Sequence, residues 1–205
     1  MMAKFITLDG IDGAGKSTHI HFMKQWFEQK KIPVVFTREP GGTPVGEALR
    51  NLLLDPRTQA SLNTETLMMF AARMQHLEEV IWPALNKGTW VVSDRFTDAT
   101  FAYQGGGRGV PLHRIEILEN WVQQGFEPDL TFLLDVPLEV AQQRVAQTRE
   151  KDRFEQEQSS FFERTRSVYL DRAKNKPKQY VVLDSTQTIE YIQKQLGNAL
   201  EMMLE

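Results

Sequence analysis

The 205-residue chain contains no cysteine, which excludes disulfides and thiolate metal sites and is compatible with a reducing compartment. It has no surplus of positive charge. Its 24 lysines and arginines against 27 aspartates and glutamates leave a net charge of −3, whereas a general nucleic-acid binder would carry a basic excess. No run approaches the roughly 20 apolar residues that a membrane helix needs. The opening Met1-Met2-Ala3-Lys4-Phe5-Ile6-Thr7-Leu8 lacks the apolar core of a signal peptide and leads straight into a strand-like run. The expected location is therefore cytoplasmic, with neither a membrane nor a nucleic-acid polymer as partner. Internal repeats, low-complexity tracts and an interdomain linker are also missing, so the expectation is one well-buried domain over residues 1–205.

Five short, nearly continuous apolar runs read as strands covered on both faces: residues 5–8, 34–37, 90–93, 130–134 and 180–183. Helical spacing of apolar residues fills the gaps, at residues 17–30, 44–54, 112–124, 138–148, 154–174 and 189–203. Pro44 suits a first helical position, and Asn63 can cap a long helix running through Ile81, which Pro83 should break or kink. Strands alternating with helices predict an α/β fold with a doubly wound parallel sheet. In such a sheet the ligand site lies beyond the carboxyl ends of the strands.

The first strand end carries Gly10-Ile11-Asp12-Gly13-Ala14-Gly15-Lys16-Ser17, which fits G-x-x-x-x-G-K-[ST] with a strand before it and an amphipathic helix after it. The glycines let the backbone approach phosphates, and backbone N–H groups with the helix dipole stabilise the anion. Lys16 reaches the β- and γ-phosphates of a nucleoside triphosphate, and the Ser17 hydroxyl can ligate Mg²⁺. Asp12 would repel those phosphates. It points either toward a hydroxyl of a second substrate or out to solvent from the turn.

Other strand ends add to this. Thr37-Arg38-Glu39-Pro40-Gly41-Gly42-Thr43-Pro44 offers Arg38 as a bidentate phosphate ligand. Ser93-Asp94-Arg95-Phe96 offers Asp94 to orient Mg²⁺ and Arg95 as a second clamp. The loop Tyr103-Gln104-Gly105-Gly106-Gly107-Arg108-Gly109 forms either a wall of an acceptor pocket or a flexible connection. Arg149-Glu150-Lys151-Asp152-Arg153 reads equally as a lid closing over the triphosphate or as a solvated helical connection.

Taken in order, these segments resemble the bacterial-type thymidylate kinases (dTMP kinases). The resemblance spans nearly the whole chain. It also takes in Thr7-Leu8-Asp9, Phe70-Ala71-Ala72-Arg73-Met74-Gln75-His76, Ala102-Tyr103-Gln104-Gly105 and Asp152-Arg153-Phe154-Glu155. It implies a three-layer P-loop nucleoside-monophosphate-kinase fold, with a five-stranded parallel sheet flanked by helices and a lid near residues 144–155. It implies phosphorylation of dTMP to dTDP by ATP with Mg²⁺, on the route to dTTP, by a homodimer. The implied ATP site is Gly10, Ile11, Asp12, Gly13, Ala14, Gly15, Lys16, Ser17 and Thr18.

For dTMP, the resemblance places Phe70 stacked on thymine and Arg73 hydrogen-bonded to the base. Arg38 and Arg95 hold the phosphate, Glu39 is a further dTMP-binding residue, and Asp12 accepts from the 3′-hydroxyl. Tyr103 crowds the 2′ position, with Thr100 and Gln104 completing the wall. Lys16, Arg95, Arg149 and Arg153 are the implied catalytic cations, the last two from the lid, since the glycine loop holds no arginine. Ser17, Asp94 and Asp9 are the implied metal ligands, and Glu163 is a further carboxylate within the same reading. Another nucleoside-monophosphate kinase of this fold and a P-loop NTPase regulator remain the competing readings. Both Asn-Lys pairs, Asn86-Lys87 and Asn175-Lys176, lack the aspartate of a guanine-reading motif.

Overall fold

The apolar runs pair as five strands in the computed structural model, which describes residues 2–146, 153–154 and 157–204. They are β1 Phe5–Asp9, β2 Val34–Arg38, β3 Trp90–Asp94, β4 Leu130–Asp135 and β5 Tyr180–Asp184. All pair in parallel in the order β2-β3-β1-β4-β5, with Ile6 opposite Val92 on one side and Leu130 on the other. Each strand runs one residue further than its apolar run. The added residues are all charged: Asp9, Arg38, Asp94, Asp135 and Asp184. The ladder continues because the next backbone groups also pair: Glu39 N–H donates to the Asp94 carbonyl at 2.9 Å and Arg95 N–H to the Leu8 carbonyl at 3.0 Å.

Alternation along β1 sorts the two faces. Ile6 and Leu8 pack with Met23 and Phe27 of α1 (Lys16–Lys30) and with Leu196 and Leu200 of α9 (Ile189–Met202). Phe5 packs instead with Phe70 of α3 (Leu62–His76) and with Phe96. The same side holds α6 (Leu112–Gln123) and α8 (Ser159–Asn175), while α2 (Pro44–Leu54) lies against α3 and α7 (Leu138–Ala146) against α8. Burying both faces explains why the strands are apolar throughout.

Four local expectations change. Ser61, not Asn63, caps α3, its hydroxyl accepting from Thr64 N–H at 3.2 Å. Pro83 does not end the helix: a π-helical turn at Leu77–Ile81 leads into α4 (Trp82–Asn86), where the proline falls in the first turn and its missing N–H is not needed. The glycine-rich stretch is not a loop. After α5 (Thr97–Thr100), Phe101–Gly107 continues as a π-helical segment packed on α8. A Cβ at Gly106 would come within 2.6 Å of Val168, and one at Gly107 within 2.4 Å of the Phe161 ring. Those glycines serve close helix packing rather than flexibility. Finally, α8 begins at Ser159 rather than at residue 154, and the expected ends of α7 at residues 147–148 lie outside the described residues.

Candidate active site

The glycine loop turns between β1 and the N-terminus of α1, at the strand around which the sheet order reverses. Gly13 has φ of 84°, and a Cβ there would lie 2.3 Å from the Ala141 carbonyl oxygen, so only glycine fits this approach. The side chains of Ile11 and Ala14 are buried in the core, leaving only their backbone for a ligand. Lys16 Nζ curls over the loop, donating to the Gly10 and Ile11 carbonyls at 3.2 and 3.4 Å. Burial, then the Arg95 charge, draws its pKa below the usual lysine value. A cavity of about 630 Å³ opens here, lined by Asp12, Gly13, Gly15, Lys16, Ser17 and Thr18 of the loop and by Arg38, Glu39, Arg50, Asp94, Arg95 and Arg144. A narrower pocket of about 90 Å³ shares Asp12, Glu39, Arg50 and Arg95 with it.

Arg95 stands at their junction. It leaves β3 with φ of 70°, a left-handed backbone that non-glycine residues rarely adopt and that clusters at functional sites. Its guanidinium donates to Asp12 Oδ1 at 2.8 Å and to the Tyr103 and Tyr169 hydroxyls at 3.0 Å each. Tyr103 donates in turn to Asp12 Oδ2 at 2.6 Å, and Tyr169 to Asp9 Oδ1 at 3.0 Å. Burial would raise the Asp12 pKa, but Arg95, Lys16 and the Tyr103 hydrogen bond outweigh it and hold the carboxyl at about 2. Asp9 goes the other way. Burial, with the Asp98 charge behind it, pushes its carboxyl up to about 7, against Arg95, Tyr169 and Lys16. Of the two readings of Asp12, the structure supports an inward-facing residue tied to the second pocket.

The narrower pocket is polar on one wall. Arg73 Nε donates to Glu39 Oε2 at 2.8 Å, and Nη2 donates to the Phe96 carbonyl and the Thr100 hydroxyl at 3.2 and 3.0 Å. Its Nη1 is buried without a partner among the described residues, a donor left for a ligand. His76 Nδ1–H completes the Glu39 carboxylate at 2.9 Å, and its Nε2 meets the Thr37 hydroxyl at 2.6 Å. Burial works to raise Glu39, but Arg73 and then His76 hold it below the ordinary glutamate value. Thr100, Tyr103 and Gln104 line this pocket with Phe96 and Phe154.

Phe70, Arg153 and Glu163 stand away from the expected positions. Phe70 is 2% exposed and packs in the core with Phe5 and Phe96, not in the pocket. Met69, one residue earlier and four before Arg73, lines the pocket instead. A one-position step on a helix is a turn of about 100°, which separates the pocket-facing residue from the core-facing one. Arg153 does not line the larger cavity: it pairs with Glu65 at 2.8 Å, and its backbone N–H donates to the Leu54 carbonyl at 3.3 Å. Arg149 lies outside the described residues, as does most of the segment 144–155. Arg38 lines the cavity rim, 54% exposed and paired with Glu47 at 2.9 Å. Glu163 is exposed on α8 and lines neither cavity.

Two cations were not singled out in the sequence. Arg50, on α2, lines both cavities and donates to the Pro40 carbonyl at 2.8 Å. Arg144, on α7, reaches the Gly13 carbonyl at 3.3 Å and the Ser185 carbonyl at 2.9 Å. Neither belongs to a short motif; both lie on amphipathic helices whose arginines ordinarily face solvent.

A divalent cation would find oxygen donors here. Ser17 and Asp94 line the cavity, and Asp94 Oδ1 and Asp9 Oδ2 are buried without partners among the described residues. No group of three histidine, aspartate or glutamate side chains is poised around a single ion among those residues. That donor set fits Mg²⁺, which keeps several waters and takes phosphate oxygens alongside one or two protein groups.

Comparison with known proteins places this arrangement. A family model described as "Thymidylate kinase" matches residues 8–196. The thymidylate kinase of Neisseria meningitidis serogroup B is 66% identical over 205 residues, covering 100% of this chain and 98% of that protein. That of Chromobacterium violaceum is 57% identical over 202 residues, 98% of this chain and 95% of the relative. A crystal structure of thymidylate kinase from Ehrlichia chaffeensis superposes with a TM-score of 0.80 at 31% identity, covering 98% of this chain and 99% of that one. The chain belongs to the thymidylate kinase family.

Proposed function

We propose that the protein transfers the γ-phosphoryl group of ATP to dTMP, giving ADP and dTDP for dTTP synthesis. The observation that carries the reading is the Asp12–Arg95 pair, which joins the glycine loop to a pocket bearing a buried arginine donor without a partner among the described residues. Around it the roles follow from chemistry. Loop N–H groups and Lys16 hold the β- and γ-phosphates. Arg95 and Arg50 hold the dTMP phosphate, with Arg38 at the rim. Asp12 accepts from the 3′-hydroxyl, Tyr103 closes the space at the 2′ carbon, and Arg73 with Thr100 and Gln104 meets the base. Met69 and Phe96 supply the pocket's apolar surface.

An oxygen of the dTMP phosphate displaces ADP from the γ-phosphorus, and no covalent enzyme intermediate is needed. The protein contributes alignment of two anions and fixed positive charge from Lys16, Arg95 and Arg144. Arg149, a lid arginine by resemblance to the family, would add to this charge. Ser17 and Asp94, with Asp9 behind them, would hold Mg²⁺, which would supply positive charge to the triphosphate.

The protein acts in the cytoplasm, where ATP and deoxynucleotides are held, and it acts on small molecules rather than on a nucleic-acid polymer. It works as a homodimer, a reading supported by the exposed apolar residues Leu67 on α3 and Leu112, Ile117 and Trp121 on the adjoining α6, Trp121 being 75% exposed. Product analysis tests the reaction. With ATP, Mg²⁺ and dTMP, chromatography should show ADP and dTDP forming in equal amounts; ADP with inorganic phosphate and no dTDP would contradict it.

A further inference from the structure

The far wall of the narrow pocket is held by a carboxylate that does not line it. Glu65, on α3, is 0% exposed. Its Oε1 accepts from Gln104 Nε2 at 3.0 Å and lies 3.0 Å from Arg108 Nε, while its Oε2 lies 2.8 Å from Arg153 Nη2. Arg108 pairs also with Glu157 at 2.9 Å, so two guanidiniums balance two carboxylates. Both guanidiniums stand over the Phe154 ring, at 5.2 and 5.7 Å from its centre, and that ring meets Tyr103 edge-on at 6.0 Å. Gln104, Phe154 and Tyr103 line the pocket; Glu65, Arg108 and Arg153 do not.

Glu65 faces two guanidiniums, which only donate, and accepts from Gln104 Nε2. A carboxylate only accepts, so Gln104 must turn its NH₂ group toward Glu65 and leave its carbonyl oxygen for the pocket. From the other wall, Arg73 offers donors alone. An acceptor beside a donor complements a pyrimidine with a C4 oxygen and an N3–H. It opposes one with a C4 amino group and a bare N3. We propose that Glu65 is a positioning residue for base selection: it fixes the Gln104 amide and, through Arg108 and Arg153, the Phe154 wall. Arg153 acts in this support and not on the transferred phosphoryl group. The proposal rests on the pyrimidine-monophosphate reading above.

The test is Glu65→Gln, assayed with dTMP and dCMP as acceptors and ATP as donor, with folding checked by circular dichroism. A glutamine offers both a donor and an acceptor, so the Gln104 amide is free to turn. Losing a hydrogen bond to a charged partner predicts about a tenfold rise in KM for dTMP and a similar loss of preference for dTMP over dCMP. KM for ATP should stay within about twofold, since ATP meets none of these groups. A folded variant with unchanged dTMP KM and unchanged preference overturns the proposal. Should Glu65→Gln not fold, Arg153→Gln replaces it: a raised dTMP KM with normal ATP KM supports the assignment, and a fall in kcat with normal dTMP KM overturns it. A wild-type enzyme that uses no pyrimidine monophosphate overturns the proposed function as well, whereas an active wild type with unaltered Glu65→Gln discrimination overturns this inference alone.

Discussion

Asp12 is the residue on which the two halves of the site depend, and its charge state is set by its neighbours. Its carboxyl, 23% exposed, is held at about 2 against an ordinary value of 3.8. A depressed folded pKa contributes stability that is present above the unfolded value and lost as pH falls through the folded one. The shift corresponds to about 2 kcal/mol. Urea unfolding of Asp12→Asn at pH 7 should therefore show a loss of about that size, and the two proteins should converge as pH drops from 4 toward 2. The same substitution should raise KM for dTMP about tenfold while leaving ATP affinity nearly unchanged, by titration calorimetry. At this scale the sequence was informative where chemistry singled a residue out. An acid inside a phosphate loop, and charges at strand ends, stand out in any α/β sequence. Phe70 and Met69 do not: two apolar side chains one position apart on a helix look alike until the helix rotation is known. Arg50 and Arg144 were hidden for the same reason, since an arginine on an amphipathic helix is ordinarily solvated.

Among the elements, the strands were legible because burial on both faces forces continuous apolar runs, and their lengths fell short only where charged last residues keep the ladder going. The segment Phe101–Gly107 was not legible. Glycines relax the backbone and also permit close packing, and local sequence does not say which. Here the partner helix α8 decides it, through Phe161 and Val168. Gly107→Ala should thus overpack the contact and cost about 1–3 kcal/mol in urea unfolding. Because the segment also carries Tyr103 and Gln104, the folded variant should show a raised KM for dTMP. Wild-type stability would instead mean that Phe161 yields freely.

Across the whole molecule, the strand order brings the ends of β1, β2 and β3 together, so that residues 12, 38 and 95 line one cavity although far apart in sequence. The sheet's parallel order followed from strand–helix alternation; the coupling of the larger cavity to the narrower pocket through Asp12 and Arg95 required the fold. The apolar surface of α3 and α6 belongs to this scale too. If the proposed dimer uses this surface, Trp121→Glu should sediment as a monomer where the wild type sediments as a dimer, and a wild type already monomeric at micromolar concentration would contradict the dimer proposal. The central claim is phosphoryl transfer from ATP to a thymidine monophosphate acceptor. A coupled ADP-release assay across dTMP, dUMP, UMP, CMP and GMP tests it most directly. The highest kcat/KM is expected with dTMP and little turnover with CMP or GMP; equal rates with all five, or ADP release indifferent to any acceptor, would mean that dTMP is not the acceptor.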